Sequence, residues 1–203
     1  MNDLHTFFES VYYESYRRQH LLEDDNEAKI VKWTSKMKSL KTILKAEENQ
    51  FEIEIIPFTR ENFEKLGDSV QSPIEIVFIN DKDHGEDIFH KLSRKQGGKK
   101  DIKRSLLLGA IKPVLENPIF IIEHQAKEES EKINDTHLYF RGCKIMGKSY
   151  VVLAVVSLGF TNPLLISIYN IDDFYKKVSE GDLIVYENGQ QVKERLLKET
   201  PKP

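Results

Sequence analysis

The stretch THLYFRGCKIMGKSYVVLAVVSL, residues 136–158, decides the fold of this 203-residue chain. It holds two runs rich in β-branched and aromatic residues, Thr136 to Ile145 and Ser149 to Leu158, with Met146 and Gly147 between them. Such a pair predicts two antiparallel strands joined by a tight turn. The second run is almost continuously apolar, which is typical of a central strand covered on both faces.

Further strands are predicted on both sides of this pair, at Ile119 to Glu123 and at Leu164 to Ile171. Consecutive strands with short links favour an antiparallel meander. DDFYKKVSEG, residues 172–181, predicts a short helix, and DLIVY, residues 182–186, is a candidate for a last strand. We expect residues 191–203 to form a C-terminal tail.

The segment before the meander mixes short strands and short helices. Alternating apolar residues predict strands at 51–58 and 74–80, and a glycine after 61–66 predicts a short helix there. A helix is expected over 85–96, and another is expected to begin at Asp101 and to end or kink at Pro113.

The first fifty residues predict two helices. Their apolar residues recur at helical spacing in two stripes: Leu4, Phe7, Phe8, Val11 and Tyr12, then Ile30, Trp33, Met37, Leu40, Ile43 and Leu44. The expected organisation is a helical pair at 1–50, an α+β domain at 51–190 and the tail. The predicted fold class is α+β, with a helix-flanked, curled antiparallel sheet of about four to six strands.

Composition narrows the functional classes. One cysteine, Cys143, predicts a protein of a reducing compartment, which we expect to be the cytoplasm. A net charge of −3 and a pI near 6.1 argue against a protein that coats nucleic acid through its whole surface. No apolar run reaches the ~20 residues that span a bilayer, so no membrane contact is expected. Walker, GxGxxG, GxSxG and HExxH motifs are absent, and we expect neither cofactor nor metal.

Positive charge concentrates in HKLSRKQGGKKDIKR, His90 to Arg104, which holds seven Lys and Arg residues against one Asp. One interpretation is a solvated, charged helix face and loop. The other is an edge that binds the phosphates of RNA or another polyanion. In that interpretation the substrate-binding residues are His84, Arg94, Lys95, Lys99, Lys100, Lys103 and Arg104.

Polar residues within the apolar strands offer a second set of candidates: Arg141, Ser157, Ser167 and Tyr169. They indicate either plain alternation between a solvent-exposed and a buried face, or a concave sheet face that presents a guanidinium and hydroxyls to a phosphate. His90, beside Lys91, is the best acid–base candidate because histidine titrates near neutral pH. His124 and His137 flank an acidic loop and are expected at strand ends.

The order IKPVLENPIFIIE, THLYFRG, SYVVLAVV, LLISIYN, within residues 52–170, resembles the phage-associated, MuF-type branch of the barnase–EndoU–colicin–RelE-like nucleases. In that pattern a basic, His-bearing helical segment leads to a helix ending in L-x-N-P, here Leu115 to Pro118. A closing Ser- or Thr-bearing strand follows, here Ile166 to Tyr169.

The resemblance implies a metal-independent endoribonuclease of a phage or mobile element, often a toxin. His90 would be the acid or base, Lys91 and Arg141 would offset phosphate charge, and Ser167 would donate a hydroxyl. No acidic residue stands as the second acid–base partner, and the HG-rich signatures of some branches are missing. The alternative is therefore a non-catalytic module that binds nucleic acid or protein, with the N-terminal helices as a docking surface for a protein partner.

Overall fold

The computed structural model describes residues 28–47, 51–79, 88–93, 104–124, 135–159, 161–171 and 174–198. The strands are β1 Lys29–Lys32, β2 Glu52–Ile53, β3 Ser69–Gln71, β4 Ile76–Phe78, β5 Phe120–His124, β6 Thr136–Ile145, β7 Lys148–Ser157, β8 Leu164–Ile171, β9 Leu183–Glu187 and β10 Gln190–Leu197. The helices are α1 Trp33–Glu47, α2 Arg60–Glu64, α3 Ile88–Ser93 and α4 Ile111–Glu116, with 3-10 helices η1 Arg104–Ala110 and η2 Phe174–Lys177.

The strands in these ranges form one open, mixed sheet of ten strands in the order β1-β10-β9-β5-β6-β7-β8-β4-β3, with β2 beside the far end of β6. The prediction of a curled antiparallel sheet of four to six strands after a helical pair is therefore wrong. Three pairings, β1 with β10, β2 with β6 and β4 with β8, are parallel. Parallel neighbours join segments that are distant in sequence, so local patterns do not reveal them.

The predicted meander is confirmed at the centre of this sheet. β5, β6, β7 and β8 pair antiparallel in sequence order, and β6 and β7 stay in register from Thr136 opposite Ser157 to Ile145 opposite Lys148. Met146 adopts a φ of 53° and Gly147 one of 72° in the connecting turn. Both central residues at positive φ match the twist of a two-residue hairpin.

Strand β7 is covered on both faces, as its apolar run predicts. Val152, Ala154 and Val156 belong to a core cluster with α2, α3, η1 and α4, and we call this side the α4 face. Leu153 belongs to a second cluster with α1 and η2, and we call that side the α1 face. The alternation assigns each strand residue to one of two environments.

The chain before residue 50 differs from the prediction in its second half. Lys29–Lys32 is a strand and places Ile30 at 46% exposure, and the helix begins only at Trp33. The other part of the predicted stripe holds, because Met37, Leu40 and Leu44 are buried against the sheet. The first predicted helix, with its stripe at residues 4–12, lies outside the described residues.

The predicted C-terminal tail is wrong up to Lys198. Residues Gln190–Leu197 form β10, which pairs antiparallel with β9 and parallel with β1. A tight turn with Asn188 and Gly189 at positive φ connects β9 to β10. The sequence of β10 is largely polar because one of its faces is exposed, and such a strand gains its stability from its neighbours.

The short helices on the α4 face are fixed by local contacts. Thr59 caps α2 by accepting a hydrogen bond of 3.1 Å from the Asn62 amide. Gly109 lies so close to the chain after β2 that a Cβ there would come within 2.3 Å of the Glu54 carbonyl oxygen.

None of the helices in the described ranges has the length and apolar character needed to cross a membrane.

Candidate nucleic-acid interface

An aromatic–cationic patch, formed by Phe58, Arg60, Phe63, Phe89 and His90, lies where α2 meets α3. Phe89 stacks on Phe58 with ring centroids 4.6 Å apart and meets the edge of Phe63 at 5.6 Å. The Arg60 guanidinium lies over the Phe89 ring at 4.1 Å, and the His90 ring is 6.1 Å from it. The patch therefore joins aromatic surface to a fixed positive charge.

The core determines which side chains α3 presents to solvent. Ile88 and Leu92 are buried at the two ends of one helical turn and anchor α3 on the α4 face. Phe89 is consequently half-buried and His90 exposed. The predicted outward orientation of His90 is confirmed by this exposure.

The basic segment begins and ends at described elements. Lys91 lies within α3, and Arg104 is the first residue of η1. His84, Arg94, Lys95, Lys99, Lys100 and Lys103 lie outside the described residues. The described elements at the two ends of this segment, α3 and η1, both pack on the α4 face, and α3 carries Phe89 and His90 of the aromatic–cationic patch.

Arg141 lies on the α4 face in the interval of β6 between the part paired with β5 and the part paired with β2. Its guanidinium donates a hydrogen bond to the Asn117 carbonyl and lies 4.0 Å from the centre of the Phe51 ring. Burial lowers the pKa of Arg141, and the charge of Glu47 partly offsets this. These contacts tie the end of α4 to β6.

The other predicted strand residues lie on the opposite face. Ser167 pairs with Val155 and Tyr169 with Leu153, both on the α1 face, and strand alternation puts Ser157 there as well. Ser157 is buried and accepts a hydrogen bond from the Gly159 amide. The sheet thus separates Arg141 from Ser167, so the four predicted catalytic residues do not share one surface.

Sequence reasoning missed a buried cluster, which we call the His137 cluster: Ser72, Glu75, Glu123, His137 and Tyr139. His137 Nδ1 is 2.6 Å from Glu75 Oε1, and its Nε2 is 3.6 Å from Glu123 Oε2. The Tyr139 hydroxyl donates to the same Glu75 oxygen at 2.7 Å. Ser72 Oγ lies 3.0 Å from the Tyr139 hydroxyl and accepts from the Glu75 amide.

This cluster fixes the tip of the β3–β4 hairpin to the middle of the sheet. Glu123 and His137 are opposite each other on β5 and β6, whereas Ser72 and Glu75 flank the hairpin turn. The sequence signal was the pair of charged residues that strand alternation places among apolar residues on the core face. The partner of His137, Glu75, is 62 residues away in the sequence, so no local pattern connects the two.

Charge compensation decides the protonation state of the cluster. Burial disfavours the imidazolium, but hydrogen bonds to Glu123 and Glu75 outweigh it and raise the pKa of His137 to about 9. Burial, together with the charge of Glu75, raises the pKa of Tyr139 far above its ordinary value. His137 is therefore a cation held between two carboxylates, which makes it a poor general base at neutral pH.

A second histidine occupies a comparable position on the neighbouring strand. His124, the last residue of β5, holds Asp182 at 2.8 Å through Nδ1, and Asp182 also accepts from the Ser179 amide. Both histidines lie near strand ends, as predicted. Within the described ranges, no group of three or more His, Cys, Asp or Glu residues is arranged to hold a metal ion.

No family model matches this chain, and no curated protein or solved structure matches it either. The resemblance to the barnase–EndoU–colicin–RelE-like nucleases therefore stays a prediction.

Proposed function

We propose that this protein binds single-stranded RNA through the aromatic–cationic patch and the basic segment, His90 to Arg104, that overlaps it in sequence. The observation that carries the proposal is the Arg60 guanidinium stacked on Phe89 beside the exposed His90. Proteins bind single strands by combining aromatic rings, on which bases stack, with cations that follow the backbone. Here both features adjoin a segment with seven Lys and Arg residues.

Local charge favours a polyanion over a neutral ligand. The whole chain carries −3, whereas residues 90–104 carry seven basic residues against one acidic residue. A cationic segment on an acidic protein directs a polyanion to one region, because repulsion weakens its contact elsewhere. Phe58 covers one face of the Phe89 ring and Arg60 lies over the other, so a base would stack on the exposed Arg60 guanidinium. Binding would depend on phosphate charge, and this stacking would add affinity but little sequence preference.

Cleavage of the bound RNA is the second candidate function, and the exposure of His90 within the patch favours it. In that proposal the 2′-hydroxyl attacks the adjacent phosphorus, the bond to the 5′-oxygen breaks, and a cyclic phosphate remains. His90 would take the hydroxyl proton, a water molecule would protonate the departing 5′-oxygen, and Arg60 would offset charge on the phosphate. Arg141 and Ser167 have no part in it, because one is held at Asn117 and the other lies across the sheet.

The binding proposal predicts a steep salt dependence. Replacing Lys99, Lys100 and Lys103 with Gln is expected to weaken binding of a labelled oligouridylate. It should also flatten the slope of log K against log salt by about 0.7 for each phosphate that is no longer neutralised. Fluorescence anisotropy at several salt concentrations measures both. Lys32→Gln, which removes an exposed charge from β1, is the control and should change neither. An unchanged slope in the triple variant contradicts the proposal.

The cleavage proposal predicts a large effect at one residue. His90→Ala is expected to slow RNA cleavage in EDTA by about 10²–10⁴-fold, the usual contribution of a positioned acid–base group. Stability should change by less than ~0.5 kcal/mol because the side chain is exposed. Gel analysis of the products, with RNA affinity measured in parallel, separates the two functions. Retained RNA binding without any cleavage by the wild-type protein would leave a binding module.

A further inference from the structure

The α1 face carries a row of tyrosine–lysine contacts that the aromatic–cationic patch does not use. Lys177 Nζ lies 5.2 Å from the centre of the Tyr169 ring, and Lys41 Nζ lies 5.2 Å from that of Tyr175. Both tyrosines are half-buried against the core cluster of this face, and both lysines are exposed. Three separate elements, α1, β8 and η2, contribute these four side chains.

Packing holds this row in a fixed arrangement. Tyr175 contacts Trp33 at 5.9 Å and Phe174 at 4.6 Å, so η2 is wedged against the start of α1. Tyr169 lies on β8 opposite Leu153, which is buried. Beside the tyrosine, Val151, Val155 and Ile171 are only partly buried. The result is an apolar sheet surface with ring faces and a border of ammonium groups.

We propose that this tyrosine–lysine row is a second binding surface for single-stranded RNA, separate from the aromatic–cationic patch. A base fits against a tyrosine ring, and the phosphate next to it meets the ammonium that now lies over the ring. A neutral apolar partner would leave Lys41 and Lys177 without compensating charge, whereas a phosphate backbone supplies that charge. Half-buried Ser167, two residues before Tyr169 on the same face, adds a hydroxyl for the ribose or phosphate.

The two surfaces lie on opposite faces of the sheet, so one oligonucleotide cannot cover both at once if it is short. A short oligonucleotide is expected to bind at two places on one chain, each with its own set of residues. The inference rests on the proposed function, since it assigns the same class of ligand to a second site.

The test uses the full chain and an oligouridylate of about six nucleotides, near the lower end of single-strand site sizes. Calorimetry of the wild-type protein should give two oligonucleotides per chain, and Arg60→Gln should weaken only one of them. Tyr169→Leu should weaken the other by about 5- to 150-fold, the range for losing one stacked base. Lys177→Gln, an exposed change that leaves the fold intact, should flatten the salt slope of that same event by about 0.7.

Lys148→Gln is the matched control, because it removes an exposed lysine from β7, which strand alternation assigns to the α4 face. It should leave binding at the tyrosine–lysine row unchanged. One oligonucleotide per chain, lost in Arg60→Gln and unaffected by Lys177→Gln, overturns this inference and leaves the proposed function standing. No binding by the wild-type protein overturns both.

Discussion

His137→Ala is expected to destabilise the fold by about 3–5 kcal/mol, the usual result of removing one partner from a buried ion pair. The substitution leaves Glu75 and Glu123 with side chains only 14% and 11% exposed and without the imidazolium between them. Two poorly hydrated carboxylates near each other repel, and Glu75 keeps only the Tyr139 hydroxyl as a side-chain donor in the cluster. The tip of the β3–β4 hairpin should then detach from β6.

Urea unfolding followed by circular dichroism measures this loss. His90→Ala is the matched control, since it removes an exposed histidine and should cost less than ~0.5 kcal/mol. Glu75→Gln should lower the free energy of unfolding by less than His137→Ala does. The amide oxygen of the glutamine can still accept the hydrogen bond from Tyr139, and the substitution removes one of the two negative charges. A stability of His137→Ala equal to that of His90→Ala would contradict the buried ion pair.

Because of the same cluster, the stability of the fold is expected to fall as the pH rises from 6.5 to about 9. The folded-state pKa of His137, about 9, is above its ordinary value of 6.5, so the folded state binds the proton more tightly than the unfolded state. The contribution is complete below pH 6.5 and is lost as pH rises to about 9. A shift of that size corresponds to about 3 kcal/mol. Wild-type stability should fall across this window, and His137→Gln should remove most of the fall.

The sequence predicts well those parts of the fold that neighbouring residues determine. The strands from Phe120 to Ile171 alternate or run apolar over five to ten residues and pair with their neighbours in sequence, so their pattern predicts both type and pairing. Strands β1, β3 and β10 are short or largely polar, so their own patterns are weak, and β1 pairs only with the distant β10. For this reason local patterns predict a sheet of four to six strands where ten strands occur.

The candidate site divides in the same way. The exposure of His90 follows from helical spacing around Ile88 and Leu92, which the sequence displays. Arg60 belongs to α2 and Phe89 to α3, and no spacing rule connects residues so far apart in the sequence. The error over Ser167 and Arg141 has a geometric cause. The face on which each residue lies depends on the strand registers, which put Arg141 opposite Val152 and Ser167 opposite Val155, three residues apart on β7 and therefore on opposite faces.

Leu40→Ala is expected to destabilise the protein by about 2–5 kcal/mol, which tests whether α1 belongs to the body of the fold. Leu40 has no exposed surface and packs with Met37 and Leu44 against the α1 face of the sheet. Lys36, on the same helix, lies between Glu187 and Glu194 of β9 and β10, with its Nζ 2.6 Å from Glu194. Helix α1 is thus attached by both apolar and ionic contacts.

Thermal unfolding should show the midpoint of Leu40→Ala lowered by about 4–20 °C, since each kcal/mol shifts a chain of this size by about 2–4 °C. Lys38→Ala, at an exposed position of α1, controls for helix propensity and should stay near the wild-type value. Leu40→Ala combined with Leu44→Ala removes two fully buried side chains from one helix turn and approaches the ~5–15 kcal/mol that stabilises a whole domain. A double variant that keeps the wild-type midpoint would make α1 a separate unit, as the predicted boundary at residue 50 requires. An unfolded double variant makes the core of β5, β6 and β10 dependent on α1, because their side chains on the α1 face would meet water instead.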